Sequence, residues 1–109
     1  MKPIVWVGDS LVQVRAFPAD GKRELGYQLE RVQDEREPAD WKPMASVGAG
    51  VNEILVRIGG AYRVIYVAKF REAIYVLHAF QKKSSKTARR DIDLARDRFR
   101  ALIRERAER

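Results

Sequence analysis

Val51-Asn-Glu-Ile-Leu-Val-Arg-Ile58, Tyr62-Arg-Val-Ile-Tyr-Val-Ala-Lys69 and Ala73-Ile-Tyr-Val-Leu-His-Ala-Phe-Gln81 are three runs rich in Val, Ile and Tyr. Only Gly59-Gly-Ala61 and Phe70-Arg-Glu72 separate them. β-Branched and aromatic residues favour extended chain, and breaks this short join neighbouring strands as hairpins. An antiparallel meander is expected over residues 51–81, and the rest of the chain has to be arranged around it.

Upstream, Pro3-Ile-Val-Trp-Val7 reads as a further short strand. Asp9 or Ser10 can cap a helix carrying Leu11 and Val14, and Pro18 suits the first turn of a second one, in which Leu25, Leu29 and Val32 recur at helical spacing. A helical pair therefore follows the first strand. Residues 34–50 hold Pro38 and Pro43 and end in Ser-Val-Gly-Ala-Gly50, which reads as a connecting loop anchored by Trp41 and Met44. Downstream, Lys82-Lys-Ser-Ser-Lys-Thr87 is a polar connector to a helix over Arg89–Glu105, whose Ile92, Ala95, Phe99, Leu102 and Ile103 share one face. The expected class is α+β: an antiparallel sheet, an N-terminal helical pair and a C-terminal helix, with the helices packed on one side. At 109 residues the chain suits one core, so residues 1–109 form a single domain.

Composition narrows the function classes. With no cysteine the chain has no disulfide, thiolate nucleophile or Cys-based metal site, and this usage suits a reducing cytoplasm. The apolar run before Gly8 is shorter than the ~7–15 residues of a signal-peptide core, and no stretch approaches the ~20 apolar residues of a membrane span, so no membrane partner is expected. Net charge is +7, and its placement says more: residues 81–109 carry 11 basic and 5 acidic side chains, whereas residues 1–80 carry 11 and 10. Basicity gathered in one third of a chain fits a polyanion such as RNA, DNA or an acidic protein segment, or simply a solubilising helix face.

Tyr62-Arg63-Val-Ile-Tyr66 followed by Ile74-Tyr-Val-Leu-His-Ala-Phe-Gln-Lys-Lys83 is similar to the third and fourth strands of RelE/ParE-superfamily toxins. Leu77-His-Ala-Phe80, Lys82-Lys-Ser-x-Lys-Thr87 and Asp91-Ile-Asp-Leu-Ala95 resemble the phage-derived HigB-type branch, as do Leu25-Gly26-x-x-Leu29 and Val51-Asn-Glu53. The resemblance covers about residues 10–103. It implies a RelE-like microbial RNase fold, a toxin that cuts mRNA in the ribosomal A site, and a cognate antitoxin, expected to be a helix-turn-helix protein, with which the toxin forms a hetero-oligomer. ParE-type members poison DNA gyrase instead and lack the basic catalytic set. A non-catalytic RNA- or DNA-binding module is the remaining alternative.

RNA cleavage by 2′-hydroxyl attack needs a base, cations for the phosphorane and an acid for the leaving 5′-oxygen. One histidine and no paired-acid motif favour a cationic route, with no metal and no cofactor expected. Arg63 matches the family's transition-state arginine. Alternation puts it beside Ile65 and Val67, where an arginine must meet either a phosphate or a carboxylate such as Glu53. Lys82 aligns with a second family arginine, and Lys83 and Lys86 add charge in what is otherwise a solvated loop. His78 alternates with Phe80 and is placed on one face with Val76 and Lys82, either lining the site or packing in the core; Phe80 either stacks on a base or fills that core. Glu53 is a possible base with Arg57 on the same face. The candidate catalytic set is thus Arg63, Lys82, His78, Lys83 and Glu53, with Arg57, Phe80, Lys86, Arg89 and Arg90 on RNA. The chain departs from the RelE pattern in lacking its lysines near Glu53 and its later tyrosine, whose region holds Ala88.

Overall fold

In the computed structural model, which describes residues 1–109, the meander consists of β3 (Val51–Arg57), β4 (Ala61–Val67) and β5 (Ile74–Gln81). β1 (Ile4–Trp6), α1 (Ser10–Arg15), α2 (Ala19–Gln33) and β2 (Trp41–Pro43) precede it, and α3 (Arg89–Ala107) follows. Gly59 and Gly60, with φ of 63° and 152°, make the tight β3–β4 connection in backbone conformations that side chains disfavour. That turn sets the register, pairing Leu55 with Arg63 and Glu53 with Ile65. No helix is long and apolar enough to cross a membrane.

Three features differ from the sequence expectation. The sheet is mixed, in the order β1-β5-β4-β3-β2: β1 lies parallel to β5, with Ile4 opposite Ile74 and Trp6 opposite Val76. A parallel neighbour requires a crossover: α1 and α2 carry the chain from β1 to the opposite sheet edge, and β2, β3 and β4 lead it back to β5; residue periodicity carries no information about strand direction. The segment 34–50 is not all loop, because Trp41–Pro43 pairs with β3 as the opposite sheet edge. Met44 and Val47 beyond it are buried.

The helices also cover both faces of the sheet rather than one. Val14 and Phe17 from the α1 side and Leu25, Leu29 and Val32 of α2 pack on Ile54, Val64, Tyr66 and Val76. Ala95, Phe99 and Leu102 of α3 pack on Val51, Ile65, Val67, Tyr75 and Leu77 from the other side. β4 and β5 are accordingly buried along nearly their whole length. That is why they read as continuous apolar runs rather than an alternation.

Candidate functional site

At the end of the sheet where β4 begins, the α3-facing surface turns from apolar to ionic. Arg63 and Glu53, 2% and 1% exposed, form a buried ion pair between neighbouring strands. Arg63 Nη1 donates to Glu53 Oε1 and to Thr87 Oγ1, the latter at 2.7 Å. Thr87 Oγ1 in turn donates to Glu53 Oε2 at 2.9 Å, and Lys42 Nζ on β2 lies 3.9 Å from Oε1. Both Glu53 oxygens are therefore engaged. On the far side of the guanidinium, Nη2 reaches only the Ser85 carbonyl at 3.4 Å, and Nε is buried without a partner.

His78 comes to the same face through an irregularity in the β4–β5 ladder. Ile65 pairs with His78, but the next residue, Tyr66, pairs with Val76, leaving Leu77 as an extra residue. The bulge breaks simple alternation. It places Val76 in the core under α1 and α2 while Phe80 packs toward α3, so His78 and Phe80 do not share their face with Val76 as alternation predicts. The His78 ring stacks on Phe80 at 4.9 Å, its Nε2 lies 2.7 Å from Asp91 Oδ1, and its Nδ1 is buried without a partner. Asp91 sits in the first turn of α3, where the helix dipole favours a negative charge. His78 thus ties β5 to the start of α3, with one ring nitrogen on Asp91 and the other buried.

Lys82, half-buried just past β5, stands between two clefts. One, of about 270 Å³, is lined by Trp41, Lys42, Glu53, Arg57, Arg63, Lys82 and Ser85 among others. The second, of about 300 Å³, is lined by Gln13, Phe80, Lys82, Lys83, Lys86, Arg90 and Asp91 with their neighbours. Loss of solvent and the nearby charges of Arg63, Arg57 and Lys42 hold the Lys82 ammonium below the usual lysine range. An arriving phosphate would relieve that crowding. Arg89 is not brought to the site: it is exposed and pairs with Asp93 along the helix at 3.5 Å. A larger groove of about 500 Å³ lies between β1 and α3, but its arginines are already paired, Arg98 with Asp9 and Arg109 with Glu105.

Of the residues expected from the sequence, the fold gathers Glu53, Arg57, Arg63 and Lys82 around one cleft and Phe80, Lys82, Lys83, Lys86 and Arg90 around the other, with His78 beneath. It adds Lys42, Ser85, Thr87 and Asp91. Lys42 was hidden in a segment read as loop. Thr87 and Asp91 stand in the stretch 82–95 that carries the resemblance, but only the return of α3 over the sheet gives them partners. No group of three or more His, Asp or Glu side chains is placed to hold a metal ion.

Residues 13–100 match the family model of phage derived protein Gp49-like (DUF891), a RelE/toxin-like family. The match spans both clefts and the whole meander. Comparison with curated proteins gives no match.

Proposed function

The chain belongs to the Gp49-like family of phage-derived proteins, and from that premise we propose that it is the toxin of a type II toxin–antitoxin pair. In this reading it is an endoribonuclease of the HigB-type branch that cuts mRNA on the ribosome. The observation that carries the reading is the set of cations around Lys82: Arg57, Arg63 and Lys42 press on one half-buried ammonium, and Glu53 is the acid that faces them. Such a site gains most from a ligand that brings negative charge, and phosphodiester cleavage concentrates charge at phosphorus.

In this mechanism the 2′-oxygen attacks the adjacent phosphorus and the bond from phosphorus to the 5′-oxygen breaks, leaving a 2′,3′-cyclic phosphate and a 5′-hydroxyl. Arg63 and Arg57 stabilise the phosphorane. One proton leaves the attacking 2′-hydroxyl and one arrives at the departing 5′-oxygen; Lys82, already biased toward losing its proton, takes the first as an amine, and the neighbouring Lys83 ammonium supplies the second. Lys83, Lys86 and Arg90 hold the RNA backbone, and the exposed part of Phe80 offers a surface for a base. Glu53 and His78 take other parts than those expected of them: Glu53 orients Arg63, and His78, engaged by Asp91 on one nitrogen and buried at the other, fixes the start of α3. The partners are the ribosome with its mRNA and a cognate helix-turn-helix antitoxin.

The test is to incubate purified protein with ribosomes programmed with a defined mRNA and to map the ends produced. The expected result is cleavage leaving 5′-hydroxyl and cyclic phosphate ends, with arrest of translation when the protein is expressed alone. DNA damage signalling with intact mRNA would replace this reading with gyrase inhibition. Retention of RNA without any cut would leave a binding module.

A further inference from the structure

Arg63 is the cation of the site that the protein itself covers. A guanidinium presents Nε–H and one Nη–H in parallel as a fork that takes two oxygens of a phosphate or carboxylate. Arg63 spends the opposite nitrogen, Nη1, on Glu53 and Thr87. Its Nε has no partner, and its Nη2 has only the Ser85 carbonyl at 3.4 Å, long for an N–H···O bond. A buried donor left unpaired is costly, so the fork is set to accept oxygens that the folded chain does not supply. The chain also blocks the way in, because Ser85 and Thr87 of the β5–α3 loop lie against the guanidinium and leave Arg63 2% exposed.

We propose that loop 82–88 is a latch that keeps Arg63 shut in the free protein, with Ser85 capping the fork and Thr87 fastening the loop. An RNA phosphate takes the fork by displacing that cap. The loop is suited to this motion. None of its residues is fully buried, and Ser84 bonds within the loop, Oγ to the Lys86 carbonyl at 2.8 Å. Beyond Lys82, whose backbone N–H bonds the Ala61 carbonyl at 2.7 Å, its side-chain fastening is the pair of Thr87 hydroxyl bonds to Arg63 and Glu53, and segments held by few buried contacts open at low cost. Lys83 and Lys86 point charge outward, so a polyanion is drawn to the loop that must move. Opening gives up the long bond to the Ser85 carbonyl and the two Thr87 hydroxyl bonds, and in exchange the fork gains two charge-assisted bonds to a phosphate. The latch rests on the site's reading as an RNA-cleaving centre, yet its test does not require cleavage.

The experiment measures the rate at which 4-hydroxyphenylglyoxal modifies each arginine of the full chain, mapped by peptide mass spectrometry. Arg100, exposed on α3, is the reference. In the wild type Arg63 is expected to react at least about tenfold more slowly than Arg100. Thr87→Val, which removes hydroxyl bonds to charged groups, should raise the Arg63 rate about tenfold or more. Thr87→Ser should stay protected, and Thr87→Ala is run in parallel so that the result does not depend on the fit of valine. A 2′-deoxy oligonucleotide, which binds without being cut, should restore protection of Arg63 in Thr87→Val. Arg63 reacting like Arg100 in the wild type would overturn the latch, as would continued protection in both Thr87→Val and Thr87→Ala. Failure of the oligonucleotide to protect the opened arginine would overturn the phosphate seat. If Arg63 opens and the oligonucleotide covers it, yet no variant cuts RNA, the latch stands and the nuclease reading falls.

Discussion

Arg106 and Arg63 are both paired with glutamates on the α3 side of the sheet, Arg106 beside the β4–β5 turn and Arg63 near the start of β4, and they use their donors in opposite ways. Arg106 lies 3.7 Å above the Phe70 ring and gives its Nε and Nη2 to the two oxygens of Glu72, at 2.7 and 3.1 Å. Arg63, far more buried, gives Nη1 to Glu53 and leaves its Nε–Nη2 fork nearly empty. The partly exposed arginine has its fork filled, and the buried one does not. An arginine that serves only to fasten the fold gains from filling its fork. One held rigid with its fork unfilled is prepared for a ligand, and the difference can be tested from both sides.

The largest effects are expected at Arg63. Arg63→Ala leaves the Glu53 carboxylate buried with the Thr87 hydroxyl as its hydrogen-bond partner and Lys42 as the nearest cation, and the loss of one partner of a buried pair should destabilise the protein by about 3–5 kcal/mol in urea unfolding. RNA cleavage should fall on the order of 10²–10³-fold with loss of a charged transition-state contact. The two effects separate in the double variant Arg63→Met with Glu53→Leu, which removes both charges together. Most of the stability should return, and cleavage should not. Arg63→Lys should recover little cleavage either, because a point charge cannot replace the fork. A stable double variant that still cuts at the wild-type rate would make Arg63 a second Arg106, a fastener only.

A smaller effect is expected at Lys82, which separates charge from proton transfer. RNA affinity should fall steeply with salt, given the excess of six positive charges over residues 81–109. Lys82→Ala should lower the slope of log affinity against log salt by about 1. Lys82→Arg should keep the slope, since the charge remains, but lose cleavage, because a guanidinium does not give up its proton near neutral pH. Equal cleavage by the wild type and Lys82→Arg would remove Lys82 from proton transfer and leave it a phosphate contact.

How much of this was legible beforehand differs by residue. The meander and the opposition of Glu53 and Arg63 follow from local signals, since the Gly59-Gly60 turn sets a register that puts the two on neighbouring strands and one face. The unbroken apolar runs Val64–Val67 and Ile74–Leu77 already signalled a sheet covered on both faces, a signal that the expectation of one-sided packing passed over. Other features had no local signal. The parallel β1–β5 pairing joins residues seventy positions apart. The bulge at Leu77, which moves His78 relative to Val76, adds a residue that no pattern of side chains marks. Thr87 reads as one more polar loop residue until the loop folds back over the sheet and gives its hydroxyl both Arg63 and Glu53.

The smallest effect is expected at Glu72, where the other side of the comparison is tested. Its hydrogen bonds from Arg106, ahead of those from its own backbone and Tyr75, hold the Glu72 carboxyl down at about 2, against an ordinary value of 4.5. A carboxyl whose folded-state pKa is depressed contributes stability that is complete above the unfolded value and lost as pH falls toward the folded one. The melting temperature of the wild type should therefore carry a component that declines from about pH 4.5 to about pH 2. Glu72→Gln should lack that component, melting slightly below the wild type at neutral pH and meeting it near the acid end of the window. The pair is substantially exposed, so solvent screening keeps the difference small. Cleavage at neutral pH should be unchanged, because Glu72 and Arg106 line neither cleft at Lys82. Parallel melting curves across the window would show that Glu72 and Arg106 are not paired in solution. A loss of cleavage in Glu72→Gln without a loss of stability would mean that the satisfied arginine also serves the site, and the contrast with Arg63 would no longer hold.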